Sequence, residues 1–166
     1  MAVVVHQVAR PQGWPSADQF ASVEIPAPVP GPGQALVENL YLSVDPYMRE
    51  RMDFEKLGVP MEGRALGRVV ESRDPRLAAG DVVFHRQGWR SHAVVAPEET
   101  RVVREEPGVP LTAYLSVLGG TGLSAYVGLT RIARLSPGET VGDRHEPVPA
   151  RIDNTTGHVL GGPASG

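Results

Sequence analysis

The sequence contains no cysteine, which excludes disulfide bonds, thiol catalysis and the ligand that most structural zinc sites use. It also lacks an apolar run long enough to cross a membrane, and the apolar run near its N-terminus is too short for the core of a signal peptide. These absences predict a soluble cytoplasmic protein without a bound metal ion and without a membrane partner.

The sequence also lacks a large excess of positive or negative charge. The formal net charge is −3, and the basic residues are nearly all arginines that alternate with acidic residues along the chain. Lys56 is the single lysine. A surface of this kind offers no basic patch, so we expect no nucleic-acid partner.

Glycine and proline, by contrast, are abundant, at 19 and 16 of 166 residues, and this favours many turns and short strands. Alternating or β-branched stretches predict six or seven strands in one domain, and these stretches are residues 2–9, 20–25, 35–44, 63–72, 81–85, 89–96 and 100–104. Close spacing of the strands indicates a small barrel or sandwich. Gly67 inside a predicted strand indicates a bulge or a close backbone approach.

The strand over residues 35–44 ends at Asp45 and Pro46, which are typical of a helix start. Asp45 is expected to cap a short helical turn, and Arg49 to pin that turn by charge pairing. A turn of this kind projects its first side chains, among them Tyr47, beyond the end of the strand. This position suits a binding site.

A helix is predicted over residues 119–135, where apolar side chains recur at helical spacing. Ser136, Pro137 and Gly138 end it, and Thr140 and Val141 resemble the first step of a strand. No strand is expected after them, because residues 142–166 are rich in glycine and proline. We therefore predict that residues 142–166 are irregular or disordered.

Four stretches together resemble the N-terminal, GroES-like half of zinc-independent medium-chain reductases: LYLSVDPYMRERM (40–52), GRALGRVVES (63–72), GDVVFHRQGWRSHAVV (80–95) and LGGTGLSAYVGLTRIARLSPGETV (118–141). The branch that they resemble is that of the NADPH-dependent alkenal, enone and prostaglandin reductases. The resemblance implies a mainly β fold, a GroES-like partly open barrel followed by one or two helices. It divides the chain into a substrate domain (1–112), an interdomain helix region (113–141) and the tail (142–166).

In that family, hydride passes from NADPH to the β-carbon of an α,β-unsaturated carbonyl compound, and hydrogen bonds stabilise the resulting enolate. By resemblance, Tyr47 lines the substrate pocket and donates its hydroxyl to the carbonyl oxygen, and Tyr126 also contacts the substrate. Gly120 and Ser124 fall where the family contacts the nicotinamide, although the family commonly has Met at position 120. Two alternatives stay open: Tyr47 as a side chain packed under the barrel, and Ser124 as an N-terminal helix cap.

His85 and His92 are interpreted as surface or strand-edge histidines, since two histidines without a third partner do not make a metal site. A conjugated carbonyl is already polarised, so hydrogen-bond donors replace a metal in this chemistry.

In the family, a Rossmann domain with a glycine-rich turn follows, and the glycines of residues 142–166 do not match it because no strand precedes them. We therefore expect a truncated chain that lacks the Rossmann domain, is inactive alone and binds no cofactor. The face around Leu115, Leu118, Leu123 and Val127 would then be exposed and promote self-association. Two alternatives are a non-catalytic GroES-like module that binds a partner protein through this face, and a separate polypeptide that supplies the Rossmann half.

Overall fold

The computed structural model describes residues 1–141, 150–152 and 159–160. The chain divides into two units, Met1–Gly120 and Thr121–Gly166, and each is described by itself. The strands of the first unit are β1 (Ala2–Gln7), β2 (Phe20–Ile25), β3 (Ala35–Leu42), β4 (Ala65–Ser72), β5 (Val82–His85), β6 (His92–Val95) and β7 (Arg101–Val102). A short helix, α1 (Tyr47–Arg51), lies between β3 and β4, and 3₁₀ turns cover Ala17–Gln19, Pro97–Glu99 and Leu111–Leu115.

A five-stranded antiparallel sheet in the order β6-β3-β4-β5-β7 forms the centre of the first unit. Its central pair, β3 and β4, runs from Ala35 opposite Ser72 to Leu42 opposite Ala65 with two register shifts, one between Leu36 and Val37 and one between Asn39 and Tyr41. The second shift faces Gly67. A Cβ atom there would lie 2.7 Å from the carbonyl oxygen of Glu38. Of the two alternatives predicted at Gly67, the close backbone approach is confirmed, whereas the extra residue of the bulge lies opposite it in β3.

Strands β1 and β2 form an antiparallel hairpin. The outer edge of β1 bonds to the segment that leads into β6, because the amide of Val5 donates to the carbonyl of Trp89 at 2.9 Å. The amide of Ser91 in turn donates to the carbonyl of Val3 at 2.7 Å. The hairpin therefore continues from the edge of the five-stranded sheet and brings β1 close to the start of β6.

Small β-branched and aliphatic side chains that alternate along β3, β4, β5 and β6 form the main core, and its buried members are Ala35, Val37, Val69, Leu77, Val83, Ala93 and Val95. A second cluster has Met48, Met52 and Met61 at its centre, with Phe20, Tyr47 and Trp89 against it. Strands β3 and β6 bury alternate residues, so one face of each enters the core. Strands β4 and β5 bury residues on both faces, and Leu66 and Val82 on their second face form a third cluster with Val103. The predicted mainly β architecture is confirmed.

Helix α2 (Gly120–Val127) begins at the boundary of the two units, and a π-helical segment (Gly128–Ile132) continues it. The predicted helix is thus present, and the turn at Ser136–Glu139 follows it, with the amide of Glu139 donating to the carbonyl of Ser136. Strand β8 (Thr140–Val141) pairs with β9 (Ala150–Ile152), and β9 pairs with β10 (Val159–Leu160).

The expectation that no strand follows Val141 is therefore wrong. Strands β9 and β10 are three and two residues long. An alternating pattern cannot be recognised in strands this short. The other residues of the predicted irregular tail lie outside the described residues, and for them the prediction stays a prediction.

Candidate active site

The turn between β3 and α1 presents the residues of the candidate site. The amide of Ser43 donates to the carbonyl of Arg64 at 2.8 Å, so the end of β3 remains paired beside β4. Pro46 has helical backbone angles, φ −55° and ψ −35°, and the amide of Met48 donates to the carbonyl of Asp45 at 3.0 Å. Proline at a helix start is preorganised for this conformation. Helix α1 thus begins where the sequence predicts.

The side chain of Asp45 does not cap α1, which corrects the sequence prediction. It accepts two hydrogen bonds from Arg64 instead, from Nη2 at 2.8 Å and from Nε at 3.2 Å. A two-point pair between a guanidinium and a carboxylate is stronger than a hydrogen bond from a neutral amide. The pair is mostly buried, with exposed side-chain fractions of 24% for Arg64 and 13% for Asp45. Arg49 forms a charge pair on this helical turn as predicted, with Asp53 at 3.0 Å.

Tyr47, the first residue of α1, packs with its ring against the methionine cluster. Its hydroxyl oxygen is buried and has no hydrogen-bond partner among the residues that the structure describes. Burial raises the pKa of the Tyr47 phenol, and the charge of Glu62 adds to the rise, while Arg86 acts in the opposite direction. The phenol is therefore protonated at neutral pH, and its O–H is available as a donor.

The carboxylate of Glu62, whose charge acts on the Tyr47 phenol, is itself bound by two arginines. Nη1 of Arg51 and Nε of Arg86 both donate to its carboxylate oxygens. Carboxylates near Tyr47 are thus held by guanidinium groups, Asp45 by Arg64 and Glu62 by Arg51 and Arg86. Within the part of the chain that the structure describes, the hydroxyl of Tyr47 has no acceptor.

An apolar cavity of about 290 Å³ lies along the Met48 face of α1. Phe20 and Trp89, which stack with ring centroids 5.5 Å apart and planes 6° apart, form one wall. Met48 and Met52 line another wall, and Trp14 lies at the rim, 93% exposed. Thioether and aromatic surfaces of this kind favour flat, polarisable ligands. Asp45 also lines the cavity, whereas Tyr47, predicted to line the substrate pocket, is not among its lining residues.

His85 is buried, with 1% of its surface exposed, so the prediction of a surface or strand-edge position is wrong for it. The amide of Gln87 donates to Nδ1 of His85 at 3.1 Å, which places the ring proton on Nε2, and Nε2 donates to Oδ1 of Asn39 at 2.8 Å. Burial lowers the pKa of His85 to about 4, and the charge of Arg90 adds to the effect. Among the described residues, no three histidine, aspartate or glutamate side chains form a metal site.

Gly120, predicted to contact the cofactor, lies in the first unit beside Arg64. A Cβ atom at position 120 would lie 3.1 Å from Nη1 of that arginine. Arg64 thus connects the turn of Tyr47 with the residue that begins α2. Sequence reasoning missed it, and the one signal was an arginine placed directly before the buried residues Ala65 and Leu66.

Ser124 and Tyr126, predicted to contact the cofactor and the substrate, lie in the second unit. Ser124 is the fifth residue of α2, so the alternative that it caps the helix N-terminus is wrong. Both side chains are exposed. Leu123 is exposed as well, whereas Leu115 packs partly buried against Leu66 and Val82, which removes it from the predicted exposed face.

Comparison with known proteins decides the family. The model of a family described as the N-terminal domain of oxidoreductase matches residues 5–103. The chain belongs to this family. Within the described residues, no helix of this oxidoreductase domain is long and apolar enough to cross a membrane.

Named relatives agree with the family. The domain is 35% identical over 140 residues to the NADP(+)-dependent 2-alkenal reductase of Nicotiana tabacum, a match that covers 78% of this chain and 41% of the relative. It is 36% identical over 140 residues to the NADPH-dependent curcumin reductase of Escherichia coli, which covers 80% of this chain and 40% of the relative. The chain thus spans about two fifths of the length of these curated relatives.

Solved structures agree as well. CurA from Vibrio vulnificus in complex with NADPH superposes with a TM-score of 0.69 at 31% identity, covering 82% of this chain and 42% of that one. The CurA structure described without NADPH gives a TM-score of 0.72 at 29% identity, with 84% and 43% covered. The resemblance to NADPH-dependent alkenal and enone reductases is confirmed at the level of the family.

Proposed function

We propose that this chain is the substrate-side domain of an NADPH-dependent reductase that acts on the carbon–carbon double bond of α,β-unsaturated carbonyl compounds. The main support is the hydroxyl of Tyr47, which is buried, protonated at neutral pH and without a partner among the described residues. The relatives named for 2-alkenal and curcumin reduction support the substrate class.

When bound, NADPH would supply the hydride for the β-carbon of the substrate and become NADP+, and a proton from solvent would complete the reduction at the α-carbon. Before that protonation, negative charge develops on the carbonyl oxygen as the enolate forms, and Tyr47 donates its O–H to that oxygen. The hydrogen bond strengthens as charge develops, so it stabilises the transition state more than the bound substrate. A donor that is already in place and shielded from water also costs little reorganisation.

The cavity beside α1 is proposed to receive the apolar part of the substrate. Its walls of Phe20, Trp89, Met48 and Met52 match a conjugated hydrocarbon chain or ring. Tyr47 does not itself line the cavity, but its ring packs against Met48, Met52 and Met61, which do. The carbonyl group of a bound substrate therefore has to pass these methionine side chains to reach the Tyr47 hydroxyl.

A titration with benzylideneacetone, an aromatic enone, tests the proposed function. The chain has two tryptophans, and both Trp14 and Trp89 line the cavity, so quenching of their fluorescence reports binding. Tyr47→Phe should weaken binding of the enone about fivefold, the value of one ordinary hydrogen bond. Binding of β-methylstyrene, which lacks the carbonyl group, should not change.

Tyr41→Phe, a change at an exposed tyrosine, is the matched control and should leave both affinities unchanged. Equal affinity of the wild-type and Tyr47→Phe chains for the enone would refute the proposed role of Tyr47.

For the cofactor, we propose that Gly120 and Ser124 contact the nicotinamide and that Tyr126 is a second substrate contact. Gly120 carries no side chain, so a flat ring can approach its exposed backbone on the side that Nη1 of Arg64 does not occupy. The glycines at 119–122 follow the 3₁₀ turn Leu111–Leu115 and not a strand, so they do not form a dinucleotide-binding turn. We therefore expect calorimetry to detect no binding of NADPH to the 166-residue chain, and clear micromolar binding would contradict this.

A second candidate function is association through the apolar surface of α2 and its continuation. Leu123, Tyr126 and Ile132 are exposed by 63%, 59% and 78%. Contiguous exposed apolar side chains mark interaction sites. The occupant that we propose is a second copy of the chain.

A further inference from the structure

We propose that Arg64 is a positioning residue that holds the Asp45 carboxylate and thereby leaves the Tyr47 hydroxyl free for a ligand. The inference rests on the proposed function, in which Tyr47 donates to the carbonyl oxygen of the substrate. It adds a residue from outside the VDPYMR stretch, because Arg64 lies 19 positions after Asp45.

The first support is the geometry of the pair. Arg64 uses two of its three nitrogens, Nε and Nη2, on the two carboxylate oxygens of Asp45. A planar guanidinium in this arrangement restrains both the position and the rotation of the carboxylate. Through the backbone bond from Ser43 to its carbonyl, Arg64 also holds the strand end from which the turn begins.

The second support is the set of charges around Tyr47. Four groups act on the phenol: the carboxylates of Asp45 and Glu62 and the guanidinium groups of Arg64 and Arg86. A buried hydroxyl that experiences the charge of two carboxylates would ordinarily donate to one of them, since an unpaired buried donor is unfavourable. Both carboxylates are engaged by arginines instead, and the hydroxyl has no partner in the described part of the chain.

The third support is the placement of the remaining nitrogen. Nη1 of Arg64 occupies the space in front of Gly120, 3.1 Å from where a Cβ atom would be. A side chain at position 120 would displace the guanidinium or be displaced by it. An added Cβ atom alone would require Nη1 to shift by a few tenths of an ångström, and the larger side chain in Gly120→Val should disturb the Asp45 pair from the other side.

Removal of the Arg64 guanidinium should free the Asp45 carboxylate to accept a hydrogen bond from the Tyr47 hydroxyl. The test uses the full chain labelled with ¹³Cζ-tyrosine, which gives four resonances because the chain has four tyrosines. The change Tyr47→Phe assigns the resonance of interest. In Arg64→Met the Tyr47 resonance should move and its titration midpoint should rise, because a nearby carboxylate loses its counter-charge. The resonances of Tyr41 and Tyr114 should not move.

Two further variants separate positioning from a merely structural role. In the double variant Asp45→Ala, Arg64→Met, no carboxylate is released, so the Tyr47 titration should return toward that of the wild type. Arg64→Lys keeps the charge but loses the two-point geometry, so it should restore the titration in part. A structural role alone predicts that the double variant is as disturbed as the single one.

Binding of benzylideneacetone links the inference to function. Arg64→Met should weaken it about as much as Tyr47→Phe does, roughly fivefold, and the two changes together should weaken it no further. If Tyr47→Phe leaves enone binding unchanged, the proposed function fails, whereas the titration still decides the relation between Arg64, Asp45 and Tyr47.

An unchanged Tyr47 titration in a folded Arg64→Met variant would overturn the inference. Circular dichroism establishes folding, and if Arg64→Met does not fold, Arg64→Gln is judged by the same titration. Loss of folding in both variants would also overturn it, because a requirement for folding would then account for Arg64.

Discussion

Gln7 and Met52 are joined by a hydrogen bond of 2.8 Å in which Nε2 of Gln7 donates to the backbone carbonyl of Met52. Gln7 is the last residue of β1 and is fully buried, and Met52 directly follows α1. Nη1 of Arg10 donates to the same carbonyl, also at 2.8 Å. A helix of five residues has little stability of its own, so these bonds hold the element that carries Tyr47.

Gln7→Met should therefore lower the free energy of unfolding by about 1–2 kcal/mol, because it removes a buried donor while nearly keeping the volume. Urea denaturation measures the change. The matched control is Arg10→Met, which removes the second donor to the Met52 carbonyl at a more exposed site and should cost about 0.5 kcal/mol. A larger loss for Arg10→Met than for Gln7→Met would contradict this account of the contact.

Gly67→Ala should be strongly destabilising, by about 3 kcal/mol, because the added Cβ would meet the Glu38 carbonyl oxygen and a methyl group of Val37. Both neighbours belong to the central strand β3, so they cannot move without a shift of the sheet. Thermal unfolding measures the change. Gly128→Ala is the control: nothing lies within 4 Å of its Cβ position, and alanine should stabilise the helical segment by about 0.5–1 kcal/mol. Similar melting temperatures for the two variants would show that β3 shifts at Val37 and Glu38 to accommodate the added methyl group.

The strands were predictable because their signal is local. Alternating or β-branched stretches predicted β1 to β6, and the glycine at position 67 indicated the irregularity that lies opposite it. Only the ends differ, since β4 begins at Ala65 and β7 is limited to Arg101–Val102. Strand ends depend on which neighbour supplies the last hydrogen bonds, and a single sequence does not contain that information.

The candidate site was predictable only in part, because its polar contacts join distant parts of the chain. The position of Tyr47 at a strand end followed from Asp45 and Pro46, but the pairing of Asp45 with Arg64 did not. The burial of His85 was not predictable, because its hydrogen-bond partner Asn39 lies 46 residues earlier and spacing in the sequence does not reveal the contact. The same sequence pattern is compatible with a histidine that bonds a buried amide and with one that bonds water.

Self-association of the chain should increase with concentration and should depend on the exposed apolar surface of the second unit. Sedimentation velocity measures it. A double variant, Leu123→Glu and Ile132→Glu, should restore a monomer because both side chains are largely exposed and their replacement introduces like charges. Val29→Glu, at a 71% exposed loop position, is the control and should leave association unchanged. A monomeric wild-type chain at high concentration would contradict the second candidate function.

His85 should make the chain less stable as the pH falls below about 6.5. The folded-state pKa of His85 is lowered to about 4, below that of the unfolded chain, so the unfolded state binds the proton first. The contribution of the neutral ring is fully present above the unfolded pKa and is lost progressively between pH 6.5 and about 4, up to roughly 3 kcal/mol. Urea denaturation of the wild type and of His85→Asn at about pH 7 and about pH 4.5 measures it.

At neutral pH the His85→Asn variant should be less stable than the wild type, because it no longer fills the site opposite Asn39. Its further loss of stability on acidification should be smaller than that of the wild type, since the group that takes up the proton on unfolding is gone. His92→Asn, at the partly exposed start of β6, is the matched control and should keep the wild-type response to acid. Equal acid sensitivity of the His85→Asn and wild-type chains would show that other groups govern this pH range.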